Sequence, residues 1–359
     1  MNDLKNIVDI SIDIQNPSPP VGFGECLLIV GLPPVIDPAK PISAVGEYQS
    51  YKRVLDVGFA ADDPVAIAAR IAFMQSPKPR SLFIAVRQEG ASVALEPIKD
   101  TLDRANDVGG WYAVCPAGIG VEDFDDIAKW TEQQEKIFAY TYLSKDDPLT
   151  ATYNRAIGWC GLLRDDSDQN QLPEECSYAH VAAVAKCLSF VAGSESWAYK
   201  AVNGMPPFAL SSELRNGIAE AKSNAFINVS SKNYTVNGMT RIGEWIDVIR
   251  GRDWLTTEIR QRIFSLMAKE PKIAFLDGGL VKIQNELTAC LKAAQERSII
   301  ELDTFDDDDN EVPGFVINIP RMADITPHQR ASRKLSGCTF TAKLAGAIHA
   351  VEVHGTLTY

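Results

Sequence analysis

A chain of 359 residues is long enough for two or three folded units, and its 46% hydrophobic and 23% charged content is that of an ordinary soluble globular protein. The formal charge of −12 has the wrong sign for generic nucleic-acid binding, which needs a basic footprint. No apolar run approaches the roughly 18 residues of a membrane-spanning helix, and no basic stretch leads into an apolar segment as a secretory leader would, so neither is expected.

The first element is an alternating one. Val8, Ile10, Ile12 and Ile14 alternate with Asp9, Ser11 and Asp13, the period-2 pattern of a half-buried strand. Asn16-Pro17-Ser18-Pro19-Pro20 then forms a stiff, extended spacer. Over 22–145 the text alternates between strand and helix: "ECLLIVGL", "DDPVAIAARIAFMQ" with Pro64 at its start, "SLFIAVR", "LEPIKDTLDRAND", "GGWYAVCPA", "VEDFDDIAKWTEQQ" and "KIFAYTYLS". That order predicts an α/β layer with helices against a largely parallel sheet. "RAIGWCGLLRDD" adds a strand and "SYAHVAAVAKCLSFVA" a small-residue helix buried on most sides.

From about 195 to 240 turn signals dominate, with Asn237-Gly238 at a position that suits a hairpin or a longer loop. Asp253 reads as the cap of a helix that puts Leu255, Ile259, Ile263 and Leu266 on one face. A turn at Asp277-Gly278-Gly279 precedes a second helix. It carries an Ile283, Leu287, Leu291, Ala294 stripe, with Lys282, Glu286, Lys292 and Glu296 away from it. The last segment, "AGAIHAVEVHGTLTY", is alternating and glycine-punctuated, with Ile348, Val351, Val353 and Leu357 as its strand residues. The expected division is an extended arm and linker at 1–20, an α/β core at 21–195, a second α/β unit at 196–343 and a β arm at 344–359.

Motifs for chemistry are nearly absent. Gly22 and Gly24 precede a strand, whereas a dinucleotide fingerprint needs glycines after a strand and opening a helix. Gly278-Gly279 precedes a helix and could hold an anion, but an ordinary tight turn is the plainer reading. Asp306-Asp307-Asp308-Asp309 lacks the glycine and glutamate of a calcium loop and reads as a solvated acidic loop, as does the run at Asp165, Asp166 and Asp168. His349 and His354 are an odd number of positions apart, so a strand would point them to opposite faces. His180 lies in the alanine-rich helix as a packing residue, and His328 has no partner at metal spacing. The seven cysteines lie far apart, several within apolar runs, as thiols do in a reducing cytoplasm. No catalytic, cofactor-binding or metal-binding residue is expected.

Charge is unevenly distributed. Residues 301–311 carry seven acids and no base, while 321–343 hold Arg321, Arg330, Arg333, Lys334 and Lys343 against the single acid Asp324. Such segments suit pairing within one subunit or between subunits. The terminal strands could likewise pair with each other, but the proline spacer holds the first at extended reach, since fourteen extended residues span roughly 45 Å. A strand so tethered can complete a neighbour's sheet, and head-to-tail donation that does not close builds a ring, helix or filament.

The stretches "FGECLLIVGL", "AARIAFMQSPKPRSLFIAVR", "RGRDWLTTEIRQRIFSLMAKEPKIAFLDGGLVKIQNEL" and "AGAIHAVEVHGTLTY" give the chain, over nearly its whole length, a resemblance to contractile tail sheath proteins of bacteriophages and phage-tail-like bacteriocins, of the compact kind without large insertions. The resemblance implies a non-enzymatic subunit of mixed α/β fold with arms at both termini donated to neighbours. It implies hexameric rings stacked helically around a tail tube, bounded by baseplate and terminator proteins. Such a sheath is assembled extended in the bacterial host cytoplasm and contracts to drive the tube through an envelope, with no nucleotide, nucleic acid or membrane insertion involved. An inward helix would touch the tube, here 280–297 with Lys282 and Lys292 as contacts. Asp306 to Asp309 and Arg330, Arg333 and Lys334 would supply part of the inter-subunit electrostatics. The competing readings are an α/β enzyme or nucleotide-binding domain with cryptic residues, and another filament former such as a capsid or tube protein.

Overall fold

The computed structural model describes residues 25–33, 42–88, 95–144, 146–149, 151–162 and 172–355. Val8, Ile10, Ile12, Ile14 and Leu357, the acidic run at 165–168 and the Gly22/Gly24 pair lie outside them.

The elements follow in chain order: β1 Leu27–Gly31, β2 Val45–Tyr48, α1 Tyr51–Asp56, α2 Pro64–Phe73, β3 Leu82–Val86, α3 Ile98–Val108, β4 Ala113–Ala117, α4 Phe124–Gln133, β5 Ile137–Tyr142, β6 Ala156–Cys160, α5 Ala179–Leu188, α6 Ser212–Glu220, β7 Asn224–Val229, β8 Lys232–Val236, α7 Ile246–Lys269, α8 Asp277–Glu296, β9 Thr304–Phe305, β10 Glu311–Val312, β11 Phe315–Asn318, α9 Pro327–Ala331 and β12 Thr339–Ala342. Eight strands form one mixed sheet in the order β2-β3-β1-β4-β5-β6-β7-β8. The six inner strands are parallel; β2 and β8 close the edges antiparallel. β1, β3, β4 and β6 are buried along their whole length. That is why they read as continuous apolar runs rather than alternating ones.

Helix α2 packs with α5 over the sheet, and α3 packs with α4. Small side chains set the distance: α2 buries Ala66, Ala68, Ala69 and Ala72, and α5 buries Ala179, Ala182, Ala183 and Ala185. At Gly31 a Cβ would lie 2.1 Å from Val65, so β1 and α2 meet only because that position has no side chain. His180 fills the α5–sheet seam. Its Nε2 donates to the Pro116 carbonyl (3.1 Å), and its Nδ1, 2.8 Å from the Thr141 hydroxyl, is then the acceptor.

Burial pushes the His180 pKa down to about 3. A folded pKa below the ordinary 6.5 means the native state favours the neutral ring. The associated stability is whole above pH 6.5 and is lost as pH falls from 6.5 toward 3, at up to about 1.4 kcal/mol per pH unit. Urea unfolding of the chain and of His180→Gln should therefore diverge in pH slope between 6 and 4, the variant losing one proton's worth. Equal slopes would remove His180 from the acid response.

The structure corrects several expectations about elements. The 195–240 region is not mainly loop: it holds α6 and the β7–β8 hairpin, which extends the main sheet. The hairpin turn lies at Ser230-Ser231, both with positive φ (50° and 65°). Asn237-Gly238 instead follows β8, where Asn224 Oδ1 accepts from the Gly238 and Met239 amides. Helix α7 begins at Ile246, so Asp253 lies inside it rather than capping it. The Asp277-Gly278-Gly279 stretch is the first turn of α8 rather than a turn before it, and a Cβ at Gly279 would meet the Ala274 carbonyl at 2.0 Å.

Two hydrophobic cores result. The first surrounds the sheet and runs from Leu27 to Ile249, taking residues from both sides of 195/196. The second joins Trp254 and Leu255 of α7, Cys290, Leu291 and Ala294 of α8, and Ile299 and Ile300, with Phe315, Ile317 and Ala342 against it. All seven cysteines are thiols, five of them buried.

Candidate assembly surface

Helix α7 ties the second core to the sheet, and it does so with charge. Asp253 accepts two hydrogen bonds from Arg155, at 2.6 and 2.8 Å, and a third from the Tyr112 hydroxyl at 2.8 Å. Burial and the Asp253 charge hold the Tyr112 hydroxyl pKa well above its ordinary value, so it remains a donor. One turn earlier, Arg250 pairs with Glu195 in full burial and donates to the carbonyls of Cys187 (3.1 Å), Leu188 (3.2 Å) and Phe190 (2.9 Å). Those carbonyls belong to or follow the last turn of α5, whose acceptors have no partner within the helix. Sequence reading found none of these five residues as partners, because their separations of 55 to 141 positions leave no local pattern.

Beyond its anchored half, α7 runs antiparallel to α8 as a helical hairpin. Arg260 bridges to Glu135 and Arg262 to Glu258, while Phe264, Met267, Leu276 and Val281 stay exposed. Lys282 is exposed and ion-pairs with Glu270 at 2.7 Å. Lys292 is also exposed and makes no ion pair among the described residues. Ten positions on a helix put the two lysines roughly 15 Å apart along the axis and about 80° apart around it, so they share a broad flank rather than a single stripe.

Past α8 the chain makes two small ribbons. In the first, β9 pairs with β10 around the acidic tip; Asp306 accepts from the amides of Asp308 (2.9 Å) and Asn310 (2.8 Å). These contacts, the Asn310 amide first, hold the Asp306 carboxyl below its usual range. Asp307, Asp308 and Asp309 point into solvent. The basic stretch centres on α9, started by a Thr326/Gln329 capping box. Among the described residues no ion pair joins Asp306 to Asp309 with Arg330, Arg333 or Lys334.

In the second ribbon β11 pairs antiparallel with β12, and among the described residues no third strand joins either outer edge. Two strands alone are marginal in water, and open edges are pairing templates. The C-terminal segment then crosses back to the body. The Ala345 amide donates to the Ile299 carbonyl. His349 stacks edge-on against Trp245 (4.4 Å between rings), sits 2.9 Å from the Ser196 hydroxyl, and accepts from the Tyr199 hydroxyl at its carbonyl (2.6 Å). Among the described residues, which end at 355, the strand expected at 344–359 makes no ladder beyond the Ile300–Leu344 bridge: Ile348, Val351 and Val353 are 83%, 75% and 83% exposed.

A ligand crevice of the usual α/β kind would open where the parallel strand order reverses, between the carboxyl ends of β1 and β4. The start of α2 packs close there: Val65 lies against Gly31, and Pro64 lies 3.0 Å from where a Cβ on Gly118 would sit. Among the described residues no group of three histidine, cysteine or acidic side chains could hold a metal, and no helix is long and apolar enough to cross a membrane.

Residues 246–357, from the start of α7 to the C-terminal segment, match the family model described as the E217 tail sheath protein gp31-like, C-terminal domain. The fold of nearly the whole chain is also that of solved structures. A chain of the anti-feeding prophage baseplate superposes with a TM-score of 0.68 at 12% identity, covering 97% of this chain and 99% of that one. A chain from an extracellular contractile injection system, the PVC sheath complex in its contracted state, gives 0.66 at 13% identity over 92% and 91%. The sheath tail protein of Desulfitobacterium hafniense gives 0.57 at 9% identity over 86% and 93%. No curated protein matches the chain by sequence.

Proposed function

We propose that this chain, whose residues 246–357 fall within the tail sheath gp31-like C-terminal domain family, is the subunit of a contractile sheath. It polymerises as stacked hexameric rings around a tail tube and contracts from a metastable extended state, driving the tube through an envelope. The observation that carries the reading is the family match, together with a fold shared over nearly the whole chain with a chain of the anti-feeding prophage baseplate and one of the contracted PVC sheath complex. The open-edged β11–β12 ribbon and the unpaired apolar C-terminal segment support it: one is a strand acceptor, the other a strand without a home, and exchange between subunits satisfies both. Residues 1–20 serve as the second donated arm. The α/β enzyme reading is disfavoured by the same likeness to sheath proteins.

The partners are further copies of the chain, the tube protein, and the baseplate and terminator proteins at the two ends. The particle is tail-like, folded and assembled in a bacterial host cytoplasm. Tethered arms let bodies rotate and slide while the mesh stays linked, so body contacts can exchange wholesale between two packings. The flank of α8 that carries Lys282 and Lys292 faces the tube.

Negative-stain electron microscopy of the purified full-length chain, with and without tube protein, tests this directly. Hollow striated cylinders of two lengths are expected, and discrete particles under every condition would remove the sheath reading. Lys282→Glu with Lys292→Glu should leave folding intact and weaken co-sedimentation with tubes at least about tenfold, consistent with loss of exposed charge contacts. Unchanged binding would move the tube contact off α8.

A further inference from the structure

The helical hairpin and the acidic ribbon each leave apolar groups in water beside charge, and the two are complementary. At the α7–α8 turn, Met267, Ile273, Phe275, Leu280 and Ile283 line a groove of about 260 Å³ that Leu335 closes from the basic stretch. Lys272 and Arg333 stand at its rim; the one acid there, Glu270, is already paired with Lys282. The ribbon β9–β10 is the converse. Leu302 and Phe305 are 67% and 71% exposed, flanked by Asp303 and by Asp306 to Asp309. An aromatic ring presented beside four carboxylates matches an apolar groove with a cationic rim.

We infer that the β9–β10 ribbon of one copy docks in the α7–α8 groove of a second copy, with Phe305 in the groove and Asp307 and Asp308 against Lys272 and Arg333. The occupant is not the ribbon of the same chain. The ribbon is tied to the C-terminal end of α8, where Gln295 donates to the Glu301 carbonyl (2.8 Å) and the Gly314 amide to Asp303 (2.9 Å). The groove lies at the N-terminal end of the same helix, roughly 25 Å away along the axis. Plug and socket sit on different surfaces, so the contact is head to tail and propagates instead of closing a two-fold dimer. It rests on the sheath reading for its setting and adds to it a body-to-body contact independent of the arms.

The test is a charge swap in the full chain, read by sedimentation velocity at low and moderate salt. Phe305→Ala should weaken self-association about 30-fold, the loss of a central aromatic anchor. Lys272→Glu with Arg333→Glu should weaken it comparably, as should Asp307→Lys with Asp308→Lys. Mixing these two charge-reversed chains, or combining all four changes, should restore association toward the parent. Circular dichroism melts of the variants should match the parent, since every altered side chain is exposed or at a groove rim. A photo-crosslinking residue at position 305 should join subunits at 267–283 or 335. Adducts elsewhere, or a Phe305→Ala chain that associates normally, overturn the contact and leave the sheath reading intact. Restored association in a chain that never forms cylinders or binds tube protein supports the contact while removing the sheath.

Discussion

Replacing Asp253 with alanine is expected to lower stability by about 3–5 kcal/mol, because it leaves the Arg155 guanidinium buried without its counter-charge. Arg155 and Asp253 are 6% and 4% exposed, so water cannot take over. The Tyr112 hydroxyl loses its hydrogen bond to Asp253 in the same change. Domains are stable by only about 5–15 kcal/mol, so the loss is a large fraction of the total, and a melting temperature lower by about 4–7 °C should follow. Replacing both partners by apolar side chains of similar volume, Arg155→Met with Asp253→Leu, should cost much less than either single truncation, because no charge is stranded. A double variant as unstable as Asp253→Ala would mean that the pair positions α7 rather than merely neutralising itself. The consequence reaches assembly, since α7 carries the α7–α8 hairpin, and a loosened first half would soften every contact the hairpin makes.

The same residue explains where reading the sequence succeeded and failed. The inner strands were legible because a parallel sheet covered on both faces buries every side chain, and "LLIVG", "LFIAV" and "AIGWC" leave little other reading. Asp253 misled for a physical reason: an acid just before an apolar periodic run is the signature of a helix cap. The true start, at Ile246, is followed within the next turn by buried Arg250 and Asp253 on the core face, which breaks the apolar stripe until their distant partners are known. The β7–β8 turn was missed because Ser230-Ser231 lacks the Asn-Gly signature, which occurs instead at 237–238, after the strand.

The charged part of the candidate assembly surface was legible as composition. Exposed lysines on α8 and the opposite charges of 301–311 and 321–343 are compositional facts, and the structure leaves all of them in solvent or at a groove rim. What could not be read is which apolar groups stand beside those charges. Phe305 sits in a two-residue strand with no core beneath it and Leu302 lies just before that strand, so both are left bare. The clamp on His349 was equally hidden, because Ser196, Tyr199 and Trp245 lie more than a hundred positions upstream.

The C-terminal segment supplies the most decisive assembly experiment. Val351→Asp with Val353→Asp is expected to cut polymer formation by on the order of 1,000-fold or more: each valine would bury side-chain area worth about 1.5–3 kcal/mol in a completed sheet, and an acid in its place adds a desolvation cost. The isolated subunit should not notice. Both positions are at least three-quarters exposed there, and surface changes of this kind alter stability by about 0.5 kcal/mol or less. Glu352 lies between them and in a strand points to the opposite face, so Glu352→Ala should assemble nearly normally. That contrast separates an added strand from a nonspecific sticky tail, for which the period of the substitutions would not matter. Pelleting and electron microscopy of the three chains at equal concentration read the difference. Normal cylinders from the double aspartate chain would take the C-terminal strand out of the linkage. Equal losses from Glu352→Ala and the double variant would instead mean that the segment acts without a fixed register. The clamp at His349 argues for register, because a segment pinned by a ring stack and two hydroxyls leaves its own body at one point and in one direction.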